Sequence, residues 1–155
     1  MIQGTATDLV LCAHEERRLE GVTFSGGEPM QQACDLLSLV ECVHSGLPAL
    51  SFGMYSGYSA QELESGYYWC RRELTQVARQ AIWRSIRRHL DFAVLGRYVA
   101  GRPSVLALRT SANQRLELLS DRYSERDFEP QEIEVHIGEH GFVQLTGFPV
   151  TGPPV

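Results

Sequence analysis

Residues 21–29 read Gly-Val-Thr-Phe-Ser-Gly-Gly-Glu-Pro, an apolar strand that breaks into two glycines, an acid and a proline. Gly26 and Gly27 let backbone amides and carbonyls approach a ligand with no Cβ in the way. Glu28 adds an anionic acceptor suited to an ammonium group, and a partly buried carboxylate is tolerated only when it is paired. Ser56-Gly57 and Gly96 repeat the pattern of a strand ending in glycine. Taken alone, such a turn reads as a structural β-α connection as readily as a ligand cradle. Cys12, Cys34, Cys42 and Cys70 lie 22, 8 and 28 positions apart and match no zinc or cluster spacing. Cys34 and Cys42 share one expected helix, where eight positions turn them by about 80° from each other. All four are read as buried thiols, and no residue is assigned as a metal ligand or as catalytic.

Other candidates have plainer readings. His136-Ile-Gly-Glu139-His140 has the spelling of a zinc-peptidase motif, but that motif needs a helix and this segment alternates as a strand around Gly138. His14 to Arg18 is a charged helix surface. Ser25 and Ser56 stand outside any Gly-x-Ser-x-Gly frame. Tyr67-Tyr68-Trp69 reads as core or interface packing. All 14 basic residues are arginine, which excludes Schiff-base chemistry and a phosphate-binding loop lysine.

The elements that position these residues follow from periodicity. Residues 6–19 have helical spacing, with Asp8 near the start and Arg17 and Arg18 at the end. Val22 to Phe24 is a strand, Gly26-Gly27 the turn, and Pro29 opens a helix running from about Met30 to His44, closed by Ser45-Gly46. Ala49 to Tyr55 is a second strand, followed by a short helix capped by Ser59. Residues 71–90 read as a longer helix with an arginine-rich outer face, and Leu90 to Leu95 as a third strand. Residues 97–104 read as a loop. Glu132 to Ile137 alternates and, with Phe142 to Thr146, predicts a terminal β-hairpin before a frayed Thr151 to Val155. Two β-α units in series predict neighbouring parallel strands, and hence an α/β fold with its ligand site at the carboxyl ends of the strands.

With 155 residues, 43% hydrophobic and 21% charged, the chain fits a single domain spanning residues 1–155. A net charge of −5 disfavours a nonspecific grip on nucleic acid. The clusters at Arg71-Arg72 and at Arg84, Arg87 and Arg88 read as solvated helix faces. The absence of a long apolar run and of a signal peptide predicts a soluble cytoplasmic protein with no membrane partner.

Gly21 to Gln32 resembles, almost letter by letter, the Gly-Gly-Glu-Pro segment of the radical S-adenosylmethionine (SAM) activating enzymes. Met54 to Ser59 is similar to their Tyr-Thr-Gly-Tyr-Thr strand end. Leu90 to Tyr98 is similar to their Ile-Asp-Val-Leu-Val-Asp-Gly-Arg-Phe strand, and Leu108 to Arg115 to their Arg-Gly-Ser-x-Asn-Gln-Arg. Order and spacing are kept, so the resemblance runs from about residue 6 to residue 149. Within that family the chain most resembles the small activating proteins of anaerobic ribonucleotide reductase and the related pyruvate formate-lyase activases. The resemblance implies a partial (β/α) barrel of the radical SAM type and a glycyl-radical enzyme as partner, either a reductase or a formate-lyase-like protein. In the family, a reduced [4Fe–4S] cluster passes an electron to the SAM sulfonium. That releases methionine and a 5′-deoxyadenosyl radical, which takes hydrogen from a glycine of the partner. The resemblance places Gly26, Gly27 and Glu28 against the methionyl ammonium of SAM, Pro29 at the turn, and Ser56 and Gly57 near the nucleotide. Asn113 and Gln114 receive no assigned role beyond a loop or cap.

The family's Cys-x-x-x-Cys-x-x-Cys loop, which holds the cluster, occurs nowhere in the sequence. In the family it lies between the first strand and the helix that corresponds to residues 6–19. The expectation is therefore a barrel core without its first strand and cluster loop, inactive as it stands. The other reading is a cluster-free binding or partner-docking protein that keeps the fold.

Overall fold

The computed structural model describes residues 2–128 and the strand segments 134–137 and 143–146. Helix α1 covers Ile2–Arg17. It starts earlier than residue 6 and stops where Arg18 turns left-handed at φ 50° and its N–H donates to the His14 carbonyl at 2.8 Å. Arginine here takes the helix-ending conformation usually left to glycine. Strand β1 is Gly21–Phe24. After the glycine turn, Pro29–Gln32 forms a 3₁₀ turn and α2 runs from Ala33 to Gly46. The expected Met30–His44 helix is thus split, its first turn being the tighter one.

Strand β2 is Ser51–Ser56 and α3 is Ala60–Glu64, opened by the capping box of Ser59 and Glu62. Helix α4 covers only Gln76–Arg87, a correction to the 71–90 expectation. Thr75 caps it, its hydroxyl accepting from Ala78 N, while the residues before it are pinned to the Pro29–Gln32 turn and the start of α2. There Arg71 N donates to the Gln31 carbonyl at 2.8 Å, and Arg72 pairs with Asp35 at 2.8 Å. Strand β3 is Phe92–Leu95, and β4 is Arg115–Leu118, a strand that periodicity does not predict.

These strands make one open sheet in the order β1-β2-β3-β4. β1, β2 and β3 are parallel, as the two β-α units require, and β4 adds antiparallel to β3 with Phe92 opposite Leu118 and Leu95 opposite Arg115. The architecture is mixed α/β, and the described sheet does not close into a barrel. Strands β5 (Glu134–Ile137) and β6 (Val143–Thr146) pair antiparallel in a separate two-stranded sheet, as the hairpin expectation has it. The terminal residues 151–155 lie outside the described residues.

The core fills the space between one sheet face and helices α2 and α4. Met30, Leu36, Val40 and Val43 meet Phe52 and Met54 of β2, Trp83 and Ile86 of α4, and Ala93 and Leu95 of β3. Each large side chain so buried contributes about 1.5–3 kcal/mol. On the other face, Phe92 lies over Gly53, where a methyl group would overlap its ring, and packs against Phe128 at 4.9 Å and Tyr123 at 5.9 Å. No helix among the described residues is long and apolar enough to cross a membrane.

Candidate functional site at the strand ends

The carboxyl ends of β1, β2 and β3 bring the sequence candidates together. Gly26 and Gly27 take φ of 76° and 54°, conformations that L side chains rarely adopt. Both are exposed, and a Cβ built on either would meet nothing within 4 Å. The turn is therefore open on its outer side, with Pro29 starting the 3₁₀ turn behind it.

Glu28 bridges two strand ends. Its Oε1 accepts from Met30 N at 3.0 Å and from Ser56 Oγ at 2.8 Å, and its Oε2 accepts from Gly57 N at 2.7 Å. The Ser56 hydroxyl in turn accepts from Tyr58 N at 3.1 Å. Ser56 is buried, while Glu28 and Gly57 are half-buried. A carboxylate has about four lone-pair positions, so one remains open on Oε2. No ion pair reaches Glu28 among the described residues.

Beyond β3, Arg97 binds Glu62 through two hydrogen bonds, Nη2 to Oε1 at 2.8 Å and Nη1 to Oε2 at 3.2 Å. Its guanidinium carbon lies 5.8 Å from the centre of the Tyr58 ring. The Arg97 hydrogen bond, with help from Ser59 N–H, lowers the Glu62 carboxyl to about 2. The same partner raises Arg97 above its ordinary value. Gly57 sits between the two charges: a Cβ there would lie 3.3 Å from Glu28 Oε2 and 4.0 Å from Arg97 Cγ. The Ser-x-x-Glu spelling at Ser59 reveals the cap, but nothing local in the sequence signals a partner 35 residues away.

Asn113 and Gln114 turn out to be a clasp for the loop beyond β3. Gln114 Oε1 accepts from Thr110 N, Thr110 Oγ1 and Ser111 N at 2.9, 3.0 and 3.1 Å, and its Nε2 donates to the Gly96 carbonyl at 3.2 Å. Asn113 Nδ2 donates to the Arg97 carbonyl at 2.6 Å. Their amides are spent on the chain itself.

The cysteines do not converge. Cys12 and Cys42 are exposed, Cys34 is half-buried and only Cys70 is buried, which corrects the expectation of four buried thiols. Burial, and then the neighbouring Cys70, pushes the Cys34 thiol above its ordinary value. No group of three or more His, Cys, Asp or Glu side chains placed to hold a metal occurs among the described residues. His136 lies on β5, whereas Glu139 and His140 lie outside the described residues. Tyr68 is buried, but its neighbours Tyr67 and Trp69 are 66% and 56% exposed, so this triplet is only one-third core.

An open, mostly parallel sheet with a glycine turn and a hydrogen-bonded acid at its carboxyl edge defines an α/β protein whose candidate site lies at the strand ends. Residues 3–117 match the family described as "4Fe-4S single cluster domain", and the chain belongs to that family. No curated protein and no solved structure matches it. A [4Fe–4S] cofactor therefore belongs to the family, but the residues present do not fit it. Such clusters are held by several cysteine thiolates, and no group of three or more metal-holding side chains, cysteines included, occurs among the described residues.

Proposed function

We propose that this chain is the SAM-cradling part of a radical SAM activating-type protein whose partner is a glycyl-radical enzyme, with the cluster thiolates coming from elsewhere than its own four cysteines. In this reading Gly26 and Gly27 let the methionyl end of SAM approach the backbone. Glu28 receives the ammonium on its remaining lone pair, Pro29 sets the turn, and Ser56 and Gly57 hold Glu28 in place from β2. The observation that carries the reading is the convergence of Glu28, Ser56 and Gly57 beside an open double-glycine turn. The family match and the extended likeness of Gly21 to Gln32 to the activating enzymes support it.

Glu28 keeps one lone pair open beside its three hydrogen bonds, so an ammonium adds a charge-assisted contact without breaking the existing ones. Calorimetric titration of the 155-residue chain with SAM tests this directly. Binding is expected, and Glu28→Gln is expected to weaken it by about 1–3 kcal/mol, the range for losing a charged hydrogen-bond partner. Equal affinity in the variant would remove Glu28 from the site.

The second reading, a cluster-free binding or docking protein with the same fold, is favoured by the scattered cysteines. Iron and acid-labile sulfide after anaerobic reconstitution separate the two questions of cluster and ligand. The chain alone is expected to hold no stoichiometric iron. About four irons per chain would show that its dispersed cysteines assemble a cluster after all.

A further inference from the structure

Arg84, Arg87 and Arg88 stand at positions i, i+3 and i+4 around the C-terminal end of α4, which puts them on one side of the helix. Together with Ser85, Leu118 and Leu119 they line a groove of about 590 Å³ between α4 and the end of β4. Arginines at a helix C-terminus are favoured by the dipole, which accounts for their presence there but not for a groove without acids. Among the described residues the lining contains three guanidinium groups and no carboxylate. The ion pairs among the described residues use Arg72, Arg97 and Arg122, none of them in the groove. Glu117, opposite Ala93 in the β4 register, is not part of the lining and pairs with none of the three. In a chain whose net charge is −5, this concentration of unpaired positive charge is local and opposite in sign to the whole.

Two further features give the groove a shape preference. Leu118, 37% exposed, and the half-buried Leu119 supply apolar surface beside the charges. β4 is the last strand in the sheet order, so its outer backbone edge has no strand partner among the described residues. We infer that the groove docks an extended acidic segment of a partner protein. The segment would pair its backbone with the β4 edge, set apolar side chains on Leu118 and Leu119, and direct carboxylates to Arg84, Arg87 and Arg88. A long polyanion is disfavoured by the overall charge, whereas two or three carboxylates on a short strand match the three guanidiniums. The groove lies at the amino end of the parallel strands, since Leu118 is opposite Phe92, so it is separate from the site at Glu28 and does not depend on SAM binding there.

The test is a nuclear magnetic resonance titration of the isotope-labelled 155-residue chain with an acetylated, amidated heptapeptide alternating glutamate and valine. Saturable shifts are expected in the amides of residues 84–88 and 115–119, weakening as salt is raised. The exposed double substitution Arg84→Glu with Arg87→Glu is expected to lower the affinity about tenfold or more. Three outcomes overturn the inference. One is no saturable shift at these residues. Another is equal binding of the matching lysine–valine peptide, which would make the contact merely apolar. The third is displacement of the glutamate peptide by equimolar tripolyphosphate with the β4 amides unmoved, which would make the groove a small-anion site.

Discussion

Two carboxylates brace the same sheet from opposite ends, and they are compensated differently. Asp91, just before β3, exchanges backbone and side-chain bonds with β2. Its N–H donates to the Phe52 carbonyl at 2.7 Å, and its Oδ2 accepts from Phe52 N at 2.9 Å. Its Oδ1 accepts from Ser120 Oγ at 2.6 Å and lies 3.4 Å from Arg122 Nε. Asp91 is thus buried, hydrogen-bonded and given a cation. Glu28, beyond the end of β1, also reaches across to β2 and accepts three hydrogen bonds, yet it makes no ion pair among the described residues, Arg97 beyond Gly57 is engaged by Glu62, and the turn beside it is open. A neutralised acid in a covered place is a strut. An acid with no ion pair of its own among the described residues, beside exposed left-handed glycines, is placed to take an incoming ammonium.

The largest expected effect separates strut from site. Asp91→Ala leaves the buried Phe52 N–H and the Arg122 cation without their partner, and should cost about 3 kcal/mol of unfolding free energy. Glu28→Ala removes three hydrogen bonds and no ion pair at a half-buried edge where water can replace them, and should cost about 1 kcal/mol. Urea unfolding of both variants measures the pair. Equal losses would make Glu28 a second strut and dissolve the distinction. A further sharpening comes from Gly27→Ala, in which a methyl group meets open space but must take a left-handed backbone. It should cost about 1–2 kcal/mol while adding no clash.

The sheet and the strand-end candidates were legible because their signals are local. Val22 to Gly27 carries its own strand and turn, and Pro29 and Ser59 announce the elements they open. The two β-α repeats force the parallel order that brings Glu28 to Ser56. β4 was not legible, since Arg115–Leu118 is four residues of a short edge strand whose pairing is decided by β3. Helical spacing overstates α4 because arginine-rich spacing continues on both sides of it. Only the Thr75 cap and the attachment of Arg71 and Arg72 to the start of α2 set where it begins. The Glu62–Arg97 pair and the Gln114 clasp join residues across the loop region at the strand ends, where no periodicity operates.

The smallest expected effect lies in that same pair, next to Glu28 but on the far side of Gly57. Glu62 is held near 2 chiefly by Arg97, against an ordinary value of 4.5, so the contact is fully formed above about pH 4.5. A carboxylate with a lowered folded value contributes stability above its unfolded value and loses it as pH falls through the folded one. The stability difference between the wild-type chain and Arg97→Gln should therefore be constant above pH 4.5 and shrink as pH falls toward 2. Because Arg97 is 63% exposed and salt screens it, that difference should stay within about 1 kcal/mol. Carbon-detected titration of the Glu62 carboxyl gives the sharper readout. Its midpoint should move part of the way back to 4.5 in Arg97→Gln, with the Ser59 cap retaining the rest. An unmoved midpoint would assign the whole shift to the cap and leave Arg97 as a cation available to the strand-end site, which would weaken the contrast drawn for Glu28.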